Sequence, residues 1–259
     1  MKHGSGRPLT VHCSDPEVAT LEEDGYTPDP LDGMTIHMAR LVDLQHYAGP
    51  FAELLDGAER ERWERFKFPV DQDRFVLAHG LLRTLLGKAL NIPPRAVAFE
   101  RGPYGKPFIR NSTFGFNLSD TKDAVAIAIG NIGEIGLDLE TTERTVDHVA
   151  VGEHYFTTEE QAAIATAPDG KRRFLEFWTR KEAVLKASGV GIMDDLRVLR
   201  VDEAVNRMTI HHEAFVAYAA PAYHVNTWHI GPTHILSLAA TLDPKKITLR
   251  SVRPDHSVA

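Results

Sequence analysis

Ile135-Gly136-Leu137-Asp138-Leu139-Glu140 is the stretch on which the fold turns. Read as a strand, it sends Asp138 and Glu140 out of one face, while Leu137 and Leu139 point to the opposite, buried side. Short apolar runs surround it, at 97–99, 116–118 and 124–129 before and at 196–201, 208–214, 222–230 and 234–241 after. Gly, Pro, Asn and Asp separate them, as turns separate strands. Residues 34–41 alternate and form the first strand expected. A helix is expected over 51–65. The clearest helix begins at Asp71, with Asp71 or Asp73 as its cap; Phe75, Ala78, Leu82, Leu85 and Leu86 share one face, and Asn91 with Pro93-Pro94 stops it. The second half repeats this order loosely. Thr157 caps a helix with Glu160 reaching back, and a long helix runs from about 171 to 188, ending at Gly189.

Each half therefore reads as a helix-plus-strands unit, with the short runs taken as antiparallel strands. The seam falls near 131–134. Residues 34–133 form the N-terminal half and 134–245 the C-terminal half. Residues 1–33 read as a poorly ordered extension and 246–259 as a polar tail.

The chain has 259 residues, 43% hydrophobic and 25% charged, so global disorder is excluded. Its 29 Lys and Arg against 36 Asp and Glu give a net charge of −7, which argues against nucleic acid and a polybasic membrane anchor as partners. No apolar run is long enough for a membrane span, and the N-terminus lacks a signal-peptide core. The lone Cys13 cannot form an internal disulfide, so a cytoplasmic location is expected.

Four clusters carry chemistry. Asp138 and Glu140 side by side repel unless a cation or proton lies between them, and oxygen-only ligands favour Mg²⁺ or Mn²⁺; the same pair also suits a solvated strand end. In Phe177-Trp178-Thr179-Arg180-Lys181-Glu182-Ala183-Val184-Leu185-Lys186, helical spacing places Trp178, Glu182 and Lys186 on one face. Glu182 is a candidate third metal oxygen or general base and Lys186 a phosphate contact, unless the two are an ordinary surface ion pair. Arg101-Gly102-Pro103-Tyr104-Gly105-Lys106-Pro107-Phe108 is a stiff loop with an aromatic face and a cation, suited to a nucleotide or simply a turn. Phe116-Asn117-Leu118-Ser119-Asp120 ends a strand with a hydroxyl that could meet a phosphate. A fifth candidate is the cationic set Arg62, Arg65, Lys67 and Arg74, which equally suits the solvated face of a helix.

Taken in order, Tyr104-Gly105-Lys106-Pro107, Phe116-Asn117-Leu118-Ser119, 135–140 and 177–186 resemble the 4′-phosphopantetheinyl transferases of the Sfp type. Gly189-Val190-Gly191-Ile192 and the strand at 234–241 resemble the family too, and Arg74 sits where it carries a substrate-binding arginine. The resemblance spans roughly 34–245 and implies the family's α/β (α+β) fold, two similar pseudo-twofold-related halves, each a small antiparallel sheet packed on a helix, with coenzyme A in the cleft between them. It implies Mg²⁺-dependent transfer of the phosphopantetheine arm of coenzyme A to a serine of an apo acyl or peptidyl carrier protein, releasing 3′,5′-ADP. Asp138, Glu140 and Glu182 would hold Mg²⁺, with Glu182, or a water it orients, as base and Lys186 easing departure of the leaving group. Tyr104, Gly105, Lys106 and Pro107 would cradle the adenine and ribose, and Arg62, Arg74, Ser119 and Lys186 would serve the phosphates. Trp178 would pack beneath the site.

One position departs from the pattern. The family's N-[IL]-S-H reads Asn117-Leu118-Ser119-Asp120 here. An aspartate repels a phosphate. Either Asp120 turns away and Thr121 or Lys122 supplies the contact, or binding of the 3′-phosphate is weakened, or the protein is a degenerate binder of coenzyme A or carrier domains. A Mg²⁺-dependent phosphodiesterase shares the three acids but has no need of the nucleotide cradle. Fatty-acid, polyketide and non-ribosomal-peptide carriers are all open. Such carriers tend to be acidic, so Arg180 or Lys171-Arg172-Arg173 is expected at the docking face. A monomer suffices, because the two halves lie in one chain.

Overall fold

A computed structural model of the chain describes residues 6–24, 33–131, 133–191, 193 and 195–252. In chain order the elements are β1 (Arg7–Cys13), β2 (Glu17–Ala19), β3 (Glu22–Asp24), β4 (Met34–Arg40), α1 (Leu41–Leu44), α2 (Ala48–Leu54), α3 (Gly57–Glu64), α4 (Pro69–Leu90), β5 (Glu100–Arg101), β6 (Pro107–Phe108), β7 (Gly115–Asp120), β8 (Ala124–Gly130), β9 (Ile135–Thr141), α5 (His148–Tyr155), α6 (Thr158–Thr166), α7 (Gly170–Ser188), β10 (Val205–Ile210), α8 (Glu213–Tyr218), β11 (Ala222–Ile230), β12 (His234–Ala240) and β13 (Ile247–Val252).

Two sheets result. One is ordered β3-β13-β4-β8-β7; the other is β10-β1-β11-β12-β9, with β2 also on β11. The buried faces explain the layering. On β8, Val125, Ile127 and Ile129 join the cluster built around α4, while Ala124, Ala126 and Ala128 join a second cluster with Leu137 and Leu139 of β9 and Leu236 and Leu238 of β12. A third cluster packs Phe174, Phe177 and Val184 of α7 on Val11, Val225 and Ile235. The layers run helix, sheet, sheet, helix, which is why β8 is buried on both faces.

The terminal strands depart from the expected layout. β1 pairs parallel to β11 and antiparallel to β10, so residues 7–13 are an inner strand of the C-terminal sheet rather than a poorly ordered lead-in. β13 lies between β3 and β4, parallel to both, so 247–252 is not a polar tail. Residues 1–5, 25–32, 253–259 and Ile192 lie outside the described residues. The sheets are thus mixed rather than purely antiparallel. A parallel partner needs a long crossover, so its pairing signal is not local.

Smaller differences have local causes. The helix expected over 51–65 breaks at Leu55-Asp56, because Asp56 caps α3 in a box with Glu59. Pro69 occupies the first turn of α4, so that helix starts ahead of Asp71. The strands expected at 97–99 and 196–201 are irregular chain before β5 and a short 3-10 helix at Leu196–Val198, and 208–214 divides between β10 and α8. The capping box of Thr157 and Glu160, the left-handed Asn91 and Gly189 and the strands at 34–40, 124–130 and 135–141 follow the sequence reading.

Candidate active site

Gly136 brings the decisive elements together. A Cβ built there would lie 2.1 Å from the Ala183 carbonyl and 2.3 Å from the Ala187 nitrogen, so α7 rests directly on the β9 backbone. Asp138 and Glu140 alternate with Gly136 on that face, where α7 carries Glu182 and Lys186. Asp138 is 6% exposed, which excludes a solvated strand end. Lys186 Nζ donates to Asp138 Oδ1 (2.7 Å), Ser119 Oγ (3.0 Å) and the Leu137 carbonyl (3.0 Å). Glu140 pairs with Arg144, which lies over the Trp178 ring. Trp178 stacks on Phe174 beside this cluster.

The carboxylates are strained by their surroundings. Burial raises Asp138 against the pull of Lys186, and burial together with the Asp138 charge raises Glu140. Burial, and then the charge of Asp138, pushes Glu182 up to about 7. Asp138 Oδ2 and Glu182 Oε1 are buried with no hydrogen-bond partner. Among the described residues, no three His, Cys, Asp or Glu are placed so as to hold a metal ion as they stand. The orphaned oxygens and the acid-only donor set nevertheless fit a hard divalent cation. Lys186 and Arg144 supply the neighbouring positive charge.

Ser119 is placed differently from its expected phosphate role. Its Oγ accepts from Lys186 Nζ and from the Leu139 amide (3.1 Å) and donates to Asp138 Oδ1 (3.2 Å), which saturates it. The Leu137 amide likewise donates to Asn117 Oδ1 at 2.8 Å. The side chains of β7 thus stand in for a backbone ladder to β9 and stitch the two sheets edge to edge.

Two cavities flank the loop between β5 and β6. The loop closes through Gly102 N to the Lys106 carbonyl (2.9 Å), and Gly105 takes φ 86°, which favours glycine. One cavity, of about 380 Å³, is lined by Arg62, Arg74, His79, Gly105, Pro107 and Asp120 among others. The other, of about 420 Å³, is lined by Tyr104, Lys106, Pro107, Phe114, Glu134 and Tyr218 among others. The expected cradle is therefore divided. Tyr104 lies edge-on to Tyr218, and Lys106 Nζ bonds Glu134 (2.6 Å) and the Ala187 carbonyl (3.0 Å). Burial lowers the Lys106 amine.

In the first cavity Arg62 lies over the Phe75 ring. Arg74 is held by Asp71 (2.8 Å) and Asp120 (2.9 Å). Asp120 does not turn away, and its neighbours do not replace it. Thr121 bonds Asp123 and Lys122 pairs with Glu143. Burial raises the Asp120 carboxyl, and the charges of Arg74, Lys186, His79 and Arg62 draw it back. The sequence reading missed His79 and its partner Glu59, whose contact spans two helices and leaves no local signal.

The expected docking cations are mostly tied up. Arg180 is 3% exposed and bonds Thr227, the Val201 carbonyl and the Ser14 carbonyl. Arg172 bonds Asp169 and the Pro232 carbonyl, and Arg173 pairs with Glu176. Lys181 is buried against Glu160 at 2.7 Å and serves the core.

Two family models match. Residues 134–238 match the 4′-phosphopantetheinyl transferase superfamily, and residues 46–131 match the N-terminal part of a 4′-phosphopantetheinyl transferase. The chain belongs to the 4′-phosphopantetheinyl transferase superfamily. Among its relatives are the 4′-phosphopantetheinyl transferase HetI of Nostoc sp., 35% identical over 54% of this chain and 62% of its own, and a phosphopantetheinyl transferase of Thraustochytrium sp., 32% identical over 53% and 54%. The 4′-phosphopantetheinyl transferase psf-1 of Bacillus pumilus is 31% identical over 52% and 58%. The alignment covers less than two thirds of each of these relatives. The superfamily matches adjoin at the step from β8 to β9, where the chain passes from one sheet to the other.

Proposed function

We propose that this protein transfers the 4′-phosphopantetheine arm of coenzyme A to a serine hydroxyl of an apo acyl or peptidyl carrier protein and releases 3′,5′-ADP. The observation that carries this is buried Asp138 with half-buried Glu140, Glu182 and Lys186, set beside a cavity lined by arginines. The curated relatives bearing this activity in their names support it.

Asp138, Glu140 and Glu182 would hold Mg²⁺, through the orphaned Asp138 Oδ2 and Glu182 Oε1. The ion, when bound, neutralises the pyrophosphate of coenzyme A. In the reaction the carrier serine Oγ forms a bond to the β-phosphorus, and the bridging P–O bond breaks with its electron pair on 3′,5′-ADP. The serine proton passes to the Glu182 carboxylate, whose raised affinity for protons suits a base near neutral pH. Lys186 holds the charge of Asp138 before substrate arrives and is placed to turn an N–H toward the departing oxygen. Ser119 accepts from the Lys186 ammonium and acts as a positioning residue. Gly105 and Pro107 would border the nucleotide.

We place the protein in the cytoplasm, acting as a monomer without nucleic acid or membrane partners. Supporting this are its net charge of −7, its buried lone cysteine and the lack, among the described residues, of a helix long and apolar enough to cross a membrane.

The test is intact mass spectrometry of an apo carrier protein incubated with this protein, coenzyme A and Mg²⁺. One phosphopantetheine arm should be gained, and chelator or Glu182→Ala should abolish the gain. No gain across acyl and peptidyl carriers would refute the transferase reading.

A further inference from the structure

β1 and β11 bring two imidazoles side by side. His12 and His224 stand directly opposite one another in the parallel pairing of these strands. Their rings stack, with centroids 4.9 Å apart and planes 9° from parallel. The residues flanking them, Val11 and Cys13 on β1 and Tyr223 and Val225 on β11, are buried in the α7 cluster. Side chains alternate along a strand, so both rings stand on the face turned away from α7. Asp138 and Glu140 face α7, and β12 separates β11 from β9. The imidazole pair is therefore a place apart from the acid cluster.

Other histidines of this chain are committed to a partner. His79 is held by Glu59, His229 by Glu176 and His234 by Asp123. His12 and His224 have no hydrogen-bond or ion-pair partner among the described residues; their contact is with each other. Both are half-buried, so the ring edges are open to an ion from solvent. Imidazole is the commonest metal ligand of proteins, and it suits Zn²⁺, Cu²⁺ and Ni²⁺, whereas Mg²⁺ prefers oxygen. Two imidazoles on neighbouring strands can grip one ion by tilting their ring edges together, since each metal–nitrogen bond is about 2.0–2.1 Å.

We propose that His12 and His224 form a two-imidazole site for a transition-metal ion of the Zn²⁺ type, which clips β1 onto β11. The clip has a structural use. Only Thr10–Cys13 of β1 pair with β11, and a chelate across that pairing ties residue 12 to residue 224. An ion bound there favours the folded pairing over the open one by mass action. The site is distinct from the acid cluster and does not rest on the transferase reading.

The test is calorimetric titration of the full chain with Zn²⁺ in excess Mg²⁺, which keeps the acids occupied. One Zn²⁺ should bind. His12→Asn and His224→Asn should each weaken it by at least about tenfold, since even an outer-shell partner of a metal ligand is worth that much. Asp138→Asn should bind Zn²⁺ as the wild type does. In thermal melts, saturating Zn²⁺ should raise the wild-type midpoint by about 2–4 °C and leave both histidine variants unmoved. X-ray absorption of the wild-type Zn²⁺ complex needs no variant to fold, and two imidazole ligands are expected in it. Fewer than two would overturn the proposal. So would Zn²⁺ binding that survives both histidine variants or is removed by Asp138→Asn, or a wild type that binds no Zn²⁺ in excess Mg²⁺. A bound Zn²⁺ that leaves the wild-type midpoint unmoved would overturn the clip.

Discussion

Glu182 concentrates the chemistry of this site in one side chain. Burial and the nearby charge of Asp138 push its carboxyl up to about 7, against an ordinary 4.5. The folded state therefore holds a proton that the unfolded chain releases between those values. The sign follows from that. The cost is absent below about 4.5, grows as pH rises, and is fully present above 7. At ~1.4 kcal/mol per unit, discounted for partial exposure, it is on the order of 2 kcal/mol. In chelator, Glu182→Gln should therefore melt above the wild type at pH 8, and the gap should close toward pH 5. Mg²⁺ should raise the wild-type melting temperature at pH 8 and leave that of Glu182→Gln nearly unmoved. Thermal scans at the two pH values decide this, and equal gaps at both would mean that Glu182 is not perturbed in the folded protein. The acids were legible in the sequence because strand and helix periods place them, but the saturated hydroxyl of Ser119 was not. Its partners lie on β9 and α7, and no local spacing encodes a contact across two elements.

At the scale of elements, the site exists because α7 lies against β9 and β7 is stitched beside it. Gly136 permits the first contact. An added methyl meets backbone atoms at 2.1 and 2.3 Å, which no rotamer change relieves. Gly136→Ala should cost about 1–3 kcal/mol, as overpacking does, and should reduce phosphopantetheine transfer by shifting Glu182 and Lys186 relative to Asp138. Urea midpoints and carrier mass spectrometry on the same preparation test both parts, and a variant of wild-type stability and rate would show that α7 does not need this close approach. Asn117 permits the second contact. Asn117→Leu deprives the buried Leu137 amide of its acceptor and should cost about 1–3 kcal/mol in the same urea experiment. An unchanged midpoint would show that the stitch adds no stability. This is also where the sequence reading was strongest. The capping box of Thr157 and Glu160 and the left-handed stop at Gly189 are local devices, and both stand where their residues placed them.

At the scale of the molecule, the division into two helix-and-strand halves was legible, but how the chain closes their sheets was not. The sequence divides near 131–134, and the chain does pass from one sheet to the other between Gly130 and Ile135. The ends, however, exchange halves: β1 enters the C-terminal sheet and β13 the N-terminal one. β13 keeps no clean alternation, and its partners are over two hundred residues earlier, so Ile247–Val252 read as tail. The exchange makes each half depend on the other terminus. β13 lies between β3 and β4, and Val252 is 1% exposed within the α4 cluster. Ending the chain at Lys246 would strip the inner edge of β4, expose Met34 and Ile36 at the sheet seam, and leave β3 with no strand to pair. A parallel strand paired on both edges is not a fraying end. The truncated chain is therefore expected to lose its cooperative thermal transition and to aggregate, with coenzyme A failing to restore it. Circular dichroism melts and size-exclusion chromatography would show this. A monomeric truncation with a sharp transition near that of the full chain would mean that β13 is an ornament on a sheet already complete without it, and that the two halves fold independently of the termini they exchange.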